Sequence, residues 1–314
     1  MSDGLFDLTE AWDGDPLRPG LDNPTPPDIV ATLGAADRRR RARALVEQSR
    51  QIVQTALDEH LGEKVLAARC VLYSGGNDST VLAHLFRHEA THAIHCNTTI
   101  GIEETRQFVR DTCAAWGLPL VEETAPVSYR DLVLEQGFPG PGMHWKMYQR
   151  LKERPLRQAR RRLVTDKSQR ALFIAGRRRL ESDRRADIPL HEREGSVIWV
   201  SPLAMWSKLD LNTYRLMHAD TDPVPVNRVS DLIHMSGECL CGAFAKPDEL
   251  SEVGYWFPDV RAEIEEIELA ATRAGFDEPL NRWGHGTGVR SRSGRMCSSC
   301  AVPDQSEFDF GGAA

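Results

Sequence analysis

A chain of 314 residues with 41% hydrophobic side chains is long enough to bury a full core, as one large domain with appendages. No run approaches the length of an apolar membrane span, and the opening MSDGLFDLTE lacks a basic-then-apolar leader pattern, so the expectation is a cytoplasmic protein with no membrane partner. The net charge of −7 excludes a protein that coats nucleic acid with its whole surface, yet residues 150–185 hold 14 Lys/Arg against 4 Asp/Glu, which marks a local anion site.

Residues 1–34 carry five prolines, several glycines and many acids without periodicity, and read as a flexible or draped arm. From Ala35 to Leu61 the spacing is helical, with Leu45, Val46, Ile52, Val53, Ala56, Leu57 and Leu61 on one face. The run Arg38-Arg39-Arg40-Arg41 at its start fits either a nucleic-acid contact or, more commonly for charge runs, a solvated helix face. An alternation follows: strands at 68–73, 92–97, 118–123, 171–175 and 197–200, with helices at 79–89, 102–116 and near 128–136. This predicts an α/β fold, a doubly wound parallel sheet with helices on both faces, binding its ligand at the C-terminal strand ends. The expected division is the arm, a nucleotide-binding domain over 35–230, a helical cysteine-bearing module over 231–302, and a tail over 303–314.

The first strand runs into Tyr73-Ser74-Gly75-Gly76-Asn77-Asp78-Ser79 before the next helix begins. Two glycines let the backbone turn tightly and present N–H groups to an anion, and the helix adds its free N-terminal donors. Ser74 and Ser79 add hydroxyls, and Asp78 stands where it could cap the helix or help hold magnesium.

The stretch resembles the SGGxDS pyrophosphate loop of the N-type ATP pyrophosphatases, the superfamily that includes the phosphoadenosine phosphosulfate (PAPS) reductases. Most members carry Lys where this chain has Asn77, so other cations must neutralise the ligand. Four further stretches match in order. His95 to Thr105 is similar to the family's H-x-D-T-G-x-x-x-x-E-T segment over the nucleotide, with Asn97 in place of Asp, with Thr98 and Glu104 matching, and with Gly101 a further binding candidate in the same stretch. His144 to Leu156, containing Lys152, resembles the segment that ends in Lys-x-x-Pro-Leu, and Met147 and Tyr148 replace the cysteine pair of adenylyl-sulfate reductases. Gly176-Arg177-Arg178-Arg179-Leu180-Glu181-Ser182 with Arg185 resembles the arginine signature that meets the anionic end of the ligand. Ser201 to Tyr214 resembles the Pro-Leu-x-x-W-x-x-x-D stretch, where Trp206 and Asp210 fit packing and helix-start roles as well as ligand contact.

Seven cysteines, an odd number unevenly placed, argue against a secreted disulfide framework. Cys70, Cys96 and Cys113 read as buried thiols, whereas Cys239-Leu240-Cys241 and Cys297-Ser298-Ser299-Cys300 pair thiolates on two tight turns, as a four-coordinate metal centre needs. Spacing alone leaves zinc and a 4Fe-4S cluster open. The DNA-phosphorothioation branch of the family carries such a cluster after the same Trp region, with tighter spacing, and so favours iron–sulfur by resemblance. The chain also ends without the Glu-Cys-Gly-Leu/Ile-His tail through which PAPS reductases act.

The resemblance implies an ATP pyrophosphatase that activates an acceptor for sulfur transfer, with Mg2+ accompanying ATP, Asp78, Arg177 and Arg185 as catalytic groups, and Arg178 assisting them. Implied partners are an adenine nucleotide, a cysteine desulfurase or other sulfur donor, and a DNA or RNA acceptor. The alternatives are a sulfonucleotide reductase, in which a C-terminal thiol attacks sulfur, and a non-catalytic nucleotide-binding adaptor.

Overall fold

The computed structural model describes residues 14–246 and 248–286. A short helix α1 (Pro27–Thr32) leads into the long α2 (Ala35–His60), whose buried Leu45, Ile52, Val53 and Ala56 form the expected apolar stripe. The described part of the arm is draped rather than loose. The Arg41 guanidinium donates to the Pro16 carbonyl at 2.6 Å and to Thr25 Oγ1 at 2.9 Å, and the Gln48 amide donates to the Pro19 carbonyl at 2.8 Å.

The chain then alternates through β1 (Val65–Leu72), α3 (Asn77–Phe86), β2 (His92–Asn97), α4 (Glu103–Trp116), β3 (Leu120–Thr124) and α5 (Tyr129–Gln136). Next come α6 (His144–Tyr148), a π-helical turn over Gln149–Glu153, α7 (Arg154–Leu163) and β4 (Gln169–Ile174). A loop with two 3-10 turns leads to β5 (His191–Glu194) and β6 (Val197–Val200). The described residues after β6 are helical: α8 (Lys208–His218), α9 (Arg228–Ile233), α10 (Glu249–Trp256) and α11 (Pro258–Arg273).

The six strands lie in the order β3-β2-β1-β4-β6-β5, all parallel except β5, which runs antiparallel to β6 at the edge. The predicted α/β sheet is therefore present, and its order reverses between β1 and β4, which places the crevice beyond their C-terminal ends. The strand β5, with the sequence His-Glu-Arg-Glu, was not among the expected strands. Glu192, Arg193 and Glu194 are exposed there, and such charge suits an edge strand, where it blocks pairing with another chain. Within the expected helical module α10 and α11 are separate helices: Phe257 leaves helical geometry at φ −134°, ψ 72°, because a residue before proline is pushed toward extended backbone.

One face of the sheet packs against α2, α3, α4 and α8 through a core that includes Leu82, Phe86, Val109 and Trp206. The other face packs against α7 through Cys70, Ile94, Phe173, Leu156 and Ala159. A third cluster joins residues 229–245 to α5, α10 and α11, around Tyr129, Phe138, Leu240, Val253 and Trp283. Among the described residues no helix is long and apolar enough to cross a membrane.

Candidate functional site

The loop after β1 is held tightly in place. Gly75 has φ +76°, and a Cβ there would stand 2.9 Å from Thr105 Cγ2 and 3.0 Å from Val109 Cγ2, so the residue must be glycine both for its backbone and for its neighbours. The Asn227 amide donates to the Gly75 carbonyl at 2.9 Å and to Thr105 Oγ1 at 3.1 Å. The Ser74 and Ser79 hydroxyls lie 3.1 Å apart, with Ser79 also donating to the Gly76 carbonyl at 3.0 Å. The opening turn of α3 therefore presents its backbone donors beside two hydroxyls, as a bound phosphate or sulfate requires.

Above this loop lies a cleft of about 500 Å³, within the range of nucleotide sites. Of the residues expected to bind nucleotide, Tyr73, Ser74, Gly76, Asn77, Asp78, Ser79, Lys152, Gly176, Arg177, Glu181, Ser182 and Arg185 line it. Its cationic lining also includes Arg184 and Lys208, which the motifs did not mark. Arg177 is the most telling. Its Nε is buried with no hydrogen-bond partner, and burial pulls its pKa below the usual arginine value, so the cation awaits an anionic ligand.

Arg178 and Asp78 take other roles than those expected. Arg178 is 2% exposed and donates from Nε to Asp78 Oδ2 at 2.7 Å, while Lys208 Nζ stands 3.8 Å from Asp78 Oδ1. Burial would raise the Asp78 pKa, but Arg178 and Lys208 outweigh it and hold the carboxyl below its ordinary value. Asp78 makes no cap bond to α3. Both of its oxygens face cations, which neutralise the carboxylate in this arrangement. Arg185 is itself paired, donating from Nη1 to Glu181 Oε2.

Asn77 also has a partner that the sequence did not suggest. Its Oδ1 accepts from Arg215 Nη2 of α8 at 3.1 Å, so a cation from elsewhere in the chain sits beside the position where relatives carry Lys. Asn77→Lys is expected to tighten pyrophosphate binding about tenfold in calorimetry, since a charge-assisted bond is worth roughly 1.5–3 kcal/mol and Arg215 repels the new charge. Unchanged affinity would remove Asn77 from the binding surface.

The segment after β2 serves a different purpose from contact with the nucleotide. Gly101 gives space to the Glu238 carbonyl, which a Cβ would meet at 2.4 Å. Thr98 Oγ1 donates to that same carbonyl at 2.5 Å, and the Thr98 N–H donates to Glu238 Oε1 at 2.9 Å. Asn97 Oδ1 accepts from the Thr99 N–H at 2.9 Å, and Glu104 is exposed on α4. His95 Nε2 lies 3.1 Å from Glu238 Oε2 and its Nδ1 lies 2.8 Å from the Tyr73 carbonyl. Burial pulls the His95 pKa down, but Glu238 outweighs it and the imidazole is raised overall. These groups dock the 236–242 segment, and Ser236 and Glu238 thereby become part of the cleft wall.

Docking brings the first cysteine pair close to the site. The neighbouring Cys239 and Cys241 side chains perturb each other, which lowers the first thiol and raises the second, and the Lys152 ammonium favours a thiolate at Cys239 despite burial. For Lys152 the burial penalty is outweighed by Cys239, Tyr148, Cys241 and Glu238, so its pKa is raised. The turn is closed by Trp283, whose Nε1 donates to the Leu240 carbonyl at 2.7 Å and covers Gly242. Two adjacent sulfurs on one tight turn fit half of a four-thiolate metal site. Cys297, Cys300 and the tail from 303 lie outside the described residues.

The family model for the phosphoadenosine phosphosulfate reductase domain matches residues 68–227, and the chain belongs to that family of enzymes. Among solved structures it is similar to the phosphoadenylyl-sulfate (PAPS) reductase of Candida auris in its phosphate complex, at 19% identity and a TM-score of 0.42, covering 64% of this chain and 93% of that one. It is also similar to the Candida glabrata FMN adenylyltransferase with FMN and the ATP analogue AMPCPP, at 10% identity and a TM-score of 0.38, covering 66% of each chain. The same enzyme with FAD and inorganic pyrophosphate matches at 10% identity and a TM-score of 0.35, covering 60% of this chain and 62% of that one. No curated protein sequence matches the chain.

Proposed function

We propose that this chain is an adenine-nucleotide enzyme that activates an acceptor for sulfur transfer. The observation that carries the reading is Arg177, a half-buried cation whose buried Nε is unsatisfied, in the same cleft as the Ser74–Ser79 loop. An acceptor oxygen attacks the α-phosphorus of ATP, the bond to the bridging oxygen breaks, and pyrophosphate leaves with the electron pair. The loop amides, Ser74 and Ser79 hold the departing oxygens, and Arg177, Lys208 and Lys152 offset the charge that develops. Cys239 and Cys241, with Cys297 and Cys300, would hold a 4Fe-4S cluster or zinc next to Lys152. When bound, a cluster supplies electrons or an iron site for sulfur, whereas zinc supplies only structure. The persulfide of a desulfurase-type donor then attacks the activated acceptor, AMP leaves with the bonding electron pair, and a second thiolate attacks the resulting S–S bond, which leaves one sulfur on the acceptor and is itself oxidised to a disulfide with the donor thiol.

A nucleic acid is the acceptor that best suits the surface. Arg154, Arg157 and Arg161 share one face of α7 by their spacing, while Pro155, Leu156 and Ala159 are buried. Tyr148, 43% exposed, lines the cleft, and Trp145, 60% exposed, lies on the same short helix α6, so that aromatic faces are available for a base to stack.

A second reading, sulfonucleotide reduction, draws support from Glu238 in the cleft wall and Cys239 directly after it. There a Cys239 thiolate attacks the sulfur of a nucleotide sulfate, the nucleotide phosphate leaves, and the Cys241 thiolate releases sulfite as a disulfide forms. The test is product analysis with ATP and, separately, with PAPS, in protein purified without oxygen. Pyrophosphate and AMP from ATP are expected, with Arg177→Ala lowering kcat/KM about 100-fold. Sulfite from PAPS without pyrophosphate release from ATP would replace the first reading by the second, and tight binding with no product would leave a nucleotide-binding adaptor.

A further inference from the structure

We propose that Glu59, His60 and His191 form a zinc site, separate from the nucleotide cleft, that clips the C-terminal end of α2 to the edge strand β5. His60 Nε2 and His191 Nδ1 lie 3.0 Å apart, Glu59 Oε2 lies 3.8 Å from His191 Nδ1, and all three donor atoms lie within 4.8 Å of one another. In a tetrahedral zinc site with Zn–N bonds of about 2.0–2.1 Å, two imidazole nitrogens stand roughly 3.3 Å apart, so the observed pair needs to open by only a few tenths of an ångström. Two nitrogens and a carboxylate oxygen suit zinc, with the fourth position left to water.

The surroundings leave the site accessible to an ion. Both histidines are half-buried and Glu59 is exposed, so the ion has a path in. His60 is the last residue of α2, where the carbonyl ends of the helix carry partial negative charge. Arg193 and Arg170 oppose a cation here, and the Glu59 carboxylate offsets them. The site thus binds reversibly rather than acting as a closed structural centre.

The location gives the ion a consequence. His191 is the first residue of β5, where the loop that carries Arg177, Arg184 and Arg185 returns to the sheet. A metal bridge to α2 anchors the far end of that loop.

The experiment is a cobalt titration of the full chain, since cobalt reports its ligands optically. Beyond any equivalent taken up by the cysteines, one further equivalent is expected to give ligand-field absorption without thiolate charge transfer, displaced by zinc, retained in Cys239→Ser and lost in His60→Ala and His191→Ala. Glu59→Gln, an exposed change that leaves the fold intact by circular dichroism, is expected to weaken cobalt about tenfold or more. Absorption of the thiolate type alone, or nitrogen-type absorption that persists in Glu59→Gln and His60→Ala at unchanged affinity, overturns the site. These outcomes are independent of nucleotide turnover.

Discussion

Asp210→Ala is expected to cost about 3–5 kcal/mol of stability, because it leaves a buried arginine without its counter-charge. Arg41 and Asp210 are 0% and 1% exposed, and they meet through two bonds, Nε to Oδ1 at 2.8 Å and Nη2 to Oδ2 at 3.2 Å. Asp210 also completes a capping box at the start of α8: Ser207 N–H and Oγ donate to Oδ2 at 2.9 and 2.8 Å, and the Asp210 N–H donates to Ser207 Oγ at 3.1 Å. One carboxylate therefore starts α8, fixes α2 against it and, through Arg41, holds the arm at Pro16 and Thr25. Urea unfolding should show a lower midpoint with unchanged slope. Arg41→Met with Asp210→Leu should recover much of the loss, because neither charge then remains buried. A loss below about 1 kcal/mol in Asp210→Ala would show that the pair is solvated in solution.

The same residues explain how far the sequence could be read. Helix and strand periodicity depends on neighbours within a few positions, and so the parallel strands, α2 and the loop before α3 were legible. Asp210 was read as either a helix-start residue or a ligand, and its capping box settles it as the former. Arg41, by contrast, looks from its neighbours like one more solvated arginine. Its partner lies 169 positions away, and no local pattern distinguishes it from exposed Arg39 and Arg40. The site divides in the same way. Ser74, Gly76, Ser79 and Arg177 line the cleft where local motif order placed them, whereas Lys208, Arg215 and Glu238 reach the loop or cleft only through tertiary packing. Thr98 and Gly101 show the converse error: a motif marked them, but the fold uses them to seat the Glu238 segment.

Arg178→Leu is the variant that separates a phosphate ligand from a brace beneath the phosphate loop. A direct ligand would lose nucleotide affinity with little effect on unfolding. The observed geometry points instead to a brace: Arg178 lies outside the cleft lining, buried, with its Nε on Asp78 Oδ2 and Nη1 at 3.5 Å from the Trp206 carbonyl. Asp78 belongs to the first turn of α3, so this bond fixes the helix N-terminus whose donors hold the anion. Removing the guanidinium leaves Asp78 with Lys208 at 3.8 Å, and the expected cost is about 3 kcal/mol in unfolding. Nucleotide affinity should fall as well, because Lys208 is drawn toward Asp78 and a carboxylate without its brace repels phosphate. Asp78→Asn in the Arg178→Leu background should restore affinity and part of the stability, since the repelling charge is gone. Such rescue is impossible if Arg178 itself grips the ligand, because deleting a second charge cannot replace a lost guanidinium. Measuring stability and pyrophosphate affinity across this cycle decides between the two roles, and an affinity loss that Asp78→Asn leaves untouched would return Arg178 to the binding surface.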